Sequence, residues 1–198
     1  MDTQKYYEMH AQRLLQEYRQ ADMLKLHKLL KKHIPPHAKV LDIGFGSMRE
    51  LAYLHSLGDD IWGIDATEFF VSNAKQTFPE LKEHFIQATL PFQKPLPLPS
   101  DFDAVISIAL WMHIKKEQYA DAVKDISTLL NPNNGTIVLS FSQGSRSVRD
   151  ERYFEKVDKE YLDKLLRQYD FHLIEQIITK DSLKRDTLSW NTLVYKHD

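Results

Sequence analysis

An α/β fold is what this sequence predicts, built on a seven-stranded, mainly parallel sheet whose last strand runs antiparallel. Two observations predict it. From Lys39 onward, short apolar runs alternate with stretches of helical periodicity, the pattern of parallel strands joined by crossover helices. The final two runs, 171–178 and 190–196, are joined by ~10 residues without helical periodicity, whereas a parallel crossover takes about a dozen or more.

The elements follow in order. Residues 3–33 read as a helix, with Leu14, Leu15, Tyr18, Leu26, Leu29 and Leu30 at spacings of three and four, closed by Pro35-Pro36. Lys39–Ile43 is a buried strand ending at Gly44, and 48–57 is a helix closed by Gly58. Asp60–Ile64 is the second strand, and 67–77 is a helix with Thr67 at its N-cap. His84–Gln87 is a weak third strand. Four prolines between Pro91 and Pro99 force an extended loop. Ala104–Ile108 is a strand, 115–130 a helix, and Asn131-Pro-Asn-Asn-Gly135 a turn into the strand Thr136–Ser140. Residues 141–157 are polar and irregular, and a helix at 158–168 precedes the last two strands.

The length suits one domain over 1–198, and an ordinary apolar share leaves enough to bury a core. A net charge of −2 lacks the basic excess of a nucleic-acid binder, so no DNA partner is expected. The absence of cysteine removes disulfides, thiolate metal sites and a cysteine nucleophile together. The nine histidines show no ligand spacing, and no metal is expected. Met1 is followed by polar residues and no apolar run could span a bilayer, so a cytoplasmic protein with no membrane partner is expected. Its oligomeric state has no signature in the sequence.

Chemistry concentrates in the first strand-to-helix turn, Val40-Leu41-Asp42-Ile43-Gly44-Phe45-Gly46-Ser47-Met48-Arg49. Gly44 and Gly46 let the backbone approach a ligand, and the turn lies at the carboxyl edge, where open α/β sheets bind ligands. A dinucleotide fingerprint needs a third glycine where Arg49 stands, which weakens a pyrophosphate site. Asp42 would repel pyrophosphate but suits a ligand bearing an ammonium group. Asp65 ends the second strand ~20 residues further on, where a carboxylate can accept both ribose hydroxyls. The alternative is a solvent-facing turn aspartate; as a strand-end carboxylate facing a cleft, Asp65 is expected to hold little of the core together.

The stretches VLDIGFGSMRELAYL and WGIDATEFFVSNAK, with FDAVISIALWMHI and NPNNGTIVLSF, together resemble the class I S-adenosylmethionine-dependent methyltransferases over residues 38–142. The tail from Arg146 through Asp181, Ser182 and Trp190-Asn191 is more weakly similar to small bacterial stand-alone members. The resemblance implies a Rossmann-like three-layer sandwich with strand order 3-2-1-4-5-7-6. It implies an N-terminal helical lid over 1–35, a cofactor-binding core over 38–142 and a substrate-side segment over 143–198. The implied cofactor is S-adenosyl-L-methionine, with S-adenosyl-L-homocysteine as product. Asp42, Gly44 and Gly46 would surround its methionine moiety, and Asp65 its ribose, with Ala66 beside the adenine. Thr89 and Leu90 would stand where an acidic residue often meets the adenine amino group. Ala109 and Leu110 would line the methyl-bearing sulfur, and Tyr7 would face the sulfonium from the lid. Phe45 and Met48 depart from the small residue and glycine usual there. A Met48 at positive φ would strain the turn and weaken cofactor affinity, whereas a first helical residue would not.

Methyl transfer needs alignment more than a fixed triad, and a base only for a protonated acceptor. His113, after the fourth strand, is the candidate general base; the alternative is a histidine packed under the cofactor loop. Trp111 would touch ligand or sit in the core with equal ease. Arg146, Arg149, Arg152 and Tyr153 would grip an anionic substrate, although Asp150, Glu151 and Glu155 interleave with them as in a solvated loop. Without cysteine, and without an Asn/Asp-Pro-Pro-aromatic loop at 109–112, a small-molecule acceptor is favoured over DNA. The rivals are a catalytically weak or silent methyltransferase-fold binding protein and a nicotinamide-dependent oxidoreductase.

Overall fold

The computed structural model describes residues 3–144, 151–183, 185 and 187–197. Helices α1 (Thr3–Arg19) and α2 (Leu24–His33) precede strand β1 (Lys39–Ile43) and helix α3 (Arg49–Ser56). Then come β2 (Asp60–Asp65), α4 (Glu68–Thr77), β3 (Phe85–Gln87), β4 (Ala104–Ser107) and α5 (Tyr119–Leu129). The chain ends through β5 (Thr136–Gly144), α6 (Lys159–Arg167), β6 (Phe171–Lys180) and β7 (Leu188–His197). The seven strands form one sheet ordered β3-β2-β1-β4-β5-β7-β6. The first five are mutually parallel, and β7 runs antiparallel to both neighbours, as expected from the short helix-free link before it.

Alternation along the strands splits the interior into two layers. Leu41, Ile43, Val105, Ile137 and Leu139 pack with α5 and α6 on one face. Val40, Ile61, Ala104, Ile106 and Val138 pack with α1 to α4 on the other. The long N-terminal helix expected over 3–33 is two helices. Asp22 Oδ1 accepts the backbone N–H of Leu24 at 2.9 Å and starts the second. The apolar spacing runs through the break because Leu14, Leu15, Leu26, Leu29 and Leu30 all bury in the same layer. Similarly, the helix expected over 115–130 is a 3-10 turn, Lys116–Gln118, followed by α5.

Strands β5, β6 and β7 outrun their expected bounds by two or more residues. Only Thr136–Leu139 of β5 pair with β4; from Ser140 to Gly144 it pairs with β7 alone. The ends of β5, β6 and β7 therefore stand above the carboxyl edge as a wall.

Phe45 is accommodated by the next strand. A Cβ built on Gly63 of β2 would lie 2.7 Å from Phe45 Cδ1 and 3.1 Å from Leu51 Cδ1. Gly63→Ala is therefore expected to destabilise the protein by about 1–3 kcal/mol, read in thermal melts. The same change made on top of Phe45→Ala is expected to cost less than half as much. Additive costs would show that the two positions do not compete for space.

Candidate active site

A cleft of about 940 Å³ opens at the carboxyl edge, lined by α1, the β1–α3 turn, the end of β2, the segments after β3 and β4, and the β5–β7 wall. All the candidate site residues line it: Tyr7, Asp42, Gly44, Gly46, Asp65, Ala66, Thr89, Leu90, Ala109, Leu110 and His113. Its volume is at the upper end for a single ligand, roughly 300–1,000 Å³.

The turn after β1 is shaped for close approach. Gly44 and Gly46 both have positive φ, at 79° and 50°. A Cβ on Gly44 would press the Leu110 side chain at 3.3 Å, whereas the space before Gly46 is open. Beneath them Asp42 is 1% exposed, and its Oδ1 has no hydrogen-bond partner among the described residues. Burial pushes its carboxyl well above the usual range; repulsion from Glu50 and Asp65 adds to this, and Arg49 opposes it. Arg49 ties the turn to α1: its Nε donates to Glu50 Oε1 at 2.7 Å and its Nη1 to the Tyr18 carbonyl at 2.8 Å.

Met48 does adopt the left-handed conformation, φ 61° and ψ 17°, as the N-cap of α3. Its side chain and that of Phe45 are buried in the layer beneath the turn, at 2% and 3% exposure. Met48 takes no part in the cleft lining, whereas Phe45 borders it. The backbone cost of a non-glycine left-handed residue, about 1–3 kcal/mol, is offset by a buried methionine side chain worth about 2–5 kcal/mol against truncation.

Asp65 is not a solvent-facing turn residue. It is buried, with Oδ2 accepting the N–H of Gly46 at 2.9 Å and Oδ1 that of Thr67 at 2.8 Å. Thr67 sits at the N-cap of α4, but its side chain makes no capping bond. Glu8, from α1, takes that part, accepting the N–H of Glu68 at 2.6 Å. Gln4 and Gln87 both donate to the Ala66 carbonyl at 3.1 Å, so α1 is fastened to the end of β2 by polar contacts. Ala109 is held at a positive φ of 62°, its N–H donating to the Ser140 hydroxyl at 3.0 Å.

His113 joins this cluster. Its Nδ1 lies 2.8 Å from the Tyr153 carbonyl, which only accepts, so Nδ1 carries the proton. In neutral His113, Nε2 is then the acceptor, 3.2 Å from the Tyr7 hydroxyl. Arg152 Nη1 donates to that hydroxyl at 3.2 Å, and its guanidinium lies over the rings of Tyr6, Tyr7 and Phe154. Trp111 is fully buried, edge-on to Tyr119, and belongs to the core. Arg146 and Arg149 lie outside the described residues.

Sequence reasoning missed the far wall. Asp181 Oδ1 accepts from Arg185 Nη2 at 2.6 Å and from the Trp190 indole at 2.7 Å. Its Oδ2 accepts from Arg185 Nε at 2.9 Å and from the Leu183 and Arg185 backbone N–H groups, each at 3.1 Å. Burial alone would raise this carboxyl, but these donors hold it at about 2. Only the spacing of Asp181 and Arg185 hinted at a local pair. Among the described residues no three His, Asp or Glu side chains gather as a metal site, and no helix is long and apolar enough to cross a membrane.

Residues 40–133 match a family model described as a methyltransferase domain. A search of curated proteins returns no match in sequence. Among solved structures, the 1,6-didemethyltoxoflavin-N1-methyltransferase of Burkholderia thailandensis, with 1,6-didemethyltoxoflavin and S-adenosylhomocysteine bound, is similar at 19% identity with TM-score 0.76. That likeness covers 98% of this chain and 87% of the other. A TehB-like S-adenosylmethionine-dependent methyltransferase of Corynebacterium glutamicum is similar at 21% identity, over 96% and 99% of the two chains, with TM-score 0.70. The magnesium protoporphyrin IX methyltransferase of Synechocystis, with S-adenosylhomocysteine bound, is similar at 16% identity, over 98% of each chain, with TM-score 0.70. Residues 40–133, from β1 through α5, are thus a methyltransferase domain, and the whole chain shares the fold of S-adenosylmethionine-dependent methyltransferases.

Proposed function

We propose that the cofactor lies along the carboxyl edge, with its methionine end over Gly44 and Gly46 and its ammonium group toward Asp42. Asp65 takes the ribose hydroxyls on the lone pairs left by Gly46 and Thr67. Ala66, Thr89 and Leu90 border the adenine, and Ala109 and Leu110 border the sulfur. The observation that carries this placement is the buried Asp42 oxygen without a partner beneath two left-handed glycines, a combination that fits a cationic ligand and not a pyrophosphate. Calorimetric titration with S-adenosylhomocysteine tests it; no heat at millimolar ligand, with the protein folded, overturns it.

Bound S-adenosylmethionine supplies the methyl group and its own sulfide leaving group. The chain's part is to hold the acceptor in line, exclude water with the lid over 1–35, and take up a proton where the acceptor carries one. Tyr7 and His113 are arranged for that. Tyr7 touches the space beside Ala109 and Leu110, and its hydroxyl can pass its proton to His113 Nε2 while accepting one from the acceptor. His113 is thus a positioning residue and proton sink behind Tyr7. Tyr7→Phe keeps the ring but is expected to lower kcat about 100-fold for a protic acceptor, with S-adenosylhomocysteine affinity changed less than threefold. An unchanged kcat and pH profile would remove Tyr7 and His113 from the proton path.

The proposed acceptor is a small molecule, taken up between the cofactor-binding core over 38–142 and the substrate-side segment over 143–198, in line with the small molecule bound in the Burkholderia relative. The proposed location is the cytoplasm, which cell fractionation tests.

A further inference from the structure

We infer that the acceptor presents an uncharged amide or lactam edge, a carbonyl with its neighbouring N–H, to a pair of hydroxyls in the cleft, Ser140 on β5 and Thr192 on β7. The inference names the substrate class of the proposed site and rests on the cofactor placement only for which part of the acceptor meets the methyl group.

The pair follows from strand register. Ser140 and Thr192 are partners across antiparallel strands. Their side chains therefore share one face, with Cβ atoms about 4.5–5.5 Å apart. One step inward on that face, Val138 partners Val194, both fully buried in the layer under α1 to α4. The apolar row changes to hydroxyls where β5 passes the end of β4. Ile177 of β6 partners Thr192 and closes the row with an apolar side chain. Ser140, Thr192 and Ile177 all line the cleft.

Both hydroxyls are buried, at 3% and 5% exposure. Ser140 Oγ accepts the Ala109 N–H at 3.0 Å, but among the described residues nothing accepts its proton. The Thr192 hydroxyl has no hydrogen-bond partner among them. Burying a hydroxyl without a partner is costly, and a valine at 192 would continue the row below with the same shape. A polar ligand in the cleft removes that cost. Ser140 has one O–H and one lone pair left to offer, and Thr192 one O–H and two lone pairs. One acceptor and one donor side by side satisfy both. Neither hydroxyl carries charge, so the group they match is neutral, as an amide or lactam edge is. The Ala109 contact fixes its place. With Ala109 bordering the sulfur, an edge docked on this pair stands beside the methyl donor, flanked by Trp190, whose indole is held on Asp181 at 2.7 Å.

The test uses matched pairs of probes, 2-pyridone with pyridine, 2-quinolone with quinoline, and oxindole with indole, the second of each lacking the carbonyl. Each is titrated into the full-length protein by nuclear magnetic resonance, with and without saturating S-adenosylhomocysteine. The lactam of at least one pair is expected to bind about tenfold more tightly than its partner, as two neutral hydrogen bonds provide. Thr192→Val keeps the shape and removes one hydroxyl. Ser140→Ala removes the other and leaves Ala109 its second bond, to the Ser140 carbonyl at 3.2 Å. Each is expected to reduce the preference about threefold. Without ligand, Thr192→Val is also expected to melt no lower than wild type, whereas a hydroxyl that served the fold would cost stability when removed. Where Ser140→Ala does not fold, Thr192→Val decides alone against Thr192→Ser, which keeps the hydroxyl and is expected to hold the preference within about twofold. No preference in any pair, a preference that survives Thr192→Val, or a lower melting temperature for that variant overturns the inference. A lactam preference that persists while S-adenosylhomocysteine fails to bind would instead overturn the cofactor placement alone.

Discussion

Asp65→Ala is expected to weaken S-adenosylhomocysteine binding at least tenfold and to lower the melting temperature of the empty protein at the same time. Each oxygen of this carboxylate accepts a backbone N–H, one from Gly46 in the cofactor turn and one from Thr67 at the start of α4. Hydrogen bonds to a charged acceptor contribute about 1.5–3 kcal/mol each, and 1.4 kcal/mol is one decade in affinity. Losing both costs roughly 3–6 kcal/mol of stability and releases the turn from its register on β2. Asp65→Asn is expected to be no milder than Asp65→Ala. An amide must set its NH2 against one of two N–H groups that now donate, leaving a buried donor facing a donor. Asp60 supplies the control. It is exposed, with long contacts to the Trp62 indole at 3.4 Å and to His84 Nδ1 at 3.5 Å, both away from the cleft, so Asp60→Ala is expected to leave binding unchanged. Calorimetry and melts on the four proteins decide it. Binding by Asp65→Ala within threefold of wild type would falsify the ribose assignment.

Asp42→Asn is expected to move stability and affinity in opposite directions. Burial, with the repulsion of Glu50 and Asp65, lifts the Asp42 carboxyl well above its ordinary 3.8. In the empty protein the folded state therefore holds this proton to higher pH than the unfolded chain. Stability then falls as pH rises from about 4 through the raised value. Asparagine removes that titration, so the empty variant is expected to melt at higher temperature than wild type at neutral pH. An ammonium group beside Asp42 favours its ionised form, so binding releases a proton within the same window. Wild-type affinity for S-adenosylhomocysteine is expected to rise with pH there, until the ligand's own amino group loses its proton near ~8. The variant is expected to bind at least tenfold more weakly and with a flatter pH dependence. Calorimetry in two buffers of different ionisation enthalpy counts the proton. Equal heats in both buffers, at every pH across the window, would place the ammonium elsewhere.

The sheet was legible because its signals are local. Period-two apolar runs, a glycine turn and a link too short for a crossover survive in any context. The cleft floor where the cofactor is proposed was legible for the same reason, since Asp42, Gly44, Gly46 and Asp65 mark the ends of two adjacent strands. What escaped depends on contacts between distant segments. Glu8, and not Thr67, caps α4, and only the packing of α1 against α4 brings it there. The break at Asp22 is hidden because both helices bury leucines at compatible spacing in one layer. Asp181 and Arg185 lie four residues apart, a common spacing for any surface pair, and Trp190 joins them only through the antiparallel return of β7. Met48 is a different case: its backbone conformation argues for glycine, while the layer beneath argues for bulk, and the sequence obeys the second.

The overhang of β5, β6 and β7 separates two kinds of heritable change. The turn after β1 and the end of β2 are locked to each other by Asp65 and to the core by Phe45, Met48 and Gly63, so substitutions there tax the whole molecule. The overhanging ends answer mainly to one another, because past Leu139 strand β5 has left β4 behind. Ile178 and Thr179 can be exchanged there without disturbing a parallel neighbour, while Ile177 and Trp190 still pack against the two core layers. The hairpin is in this sense a replaceable module, and a graft of another methyltransferase's β6–β7 tip is the natural place to begin retargeting this enzyme to a new acceptor.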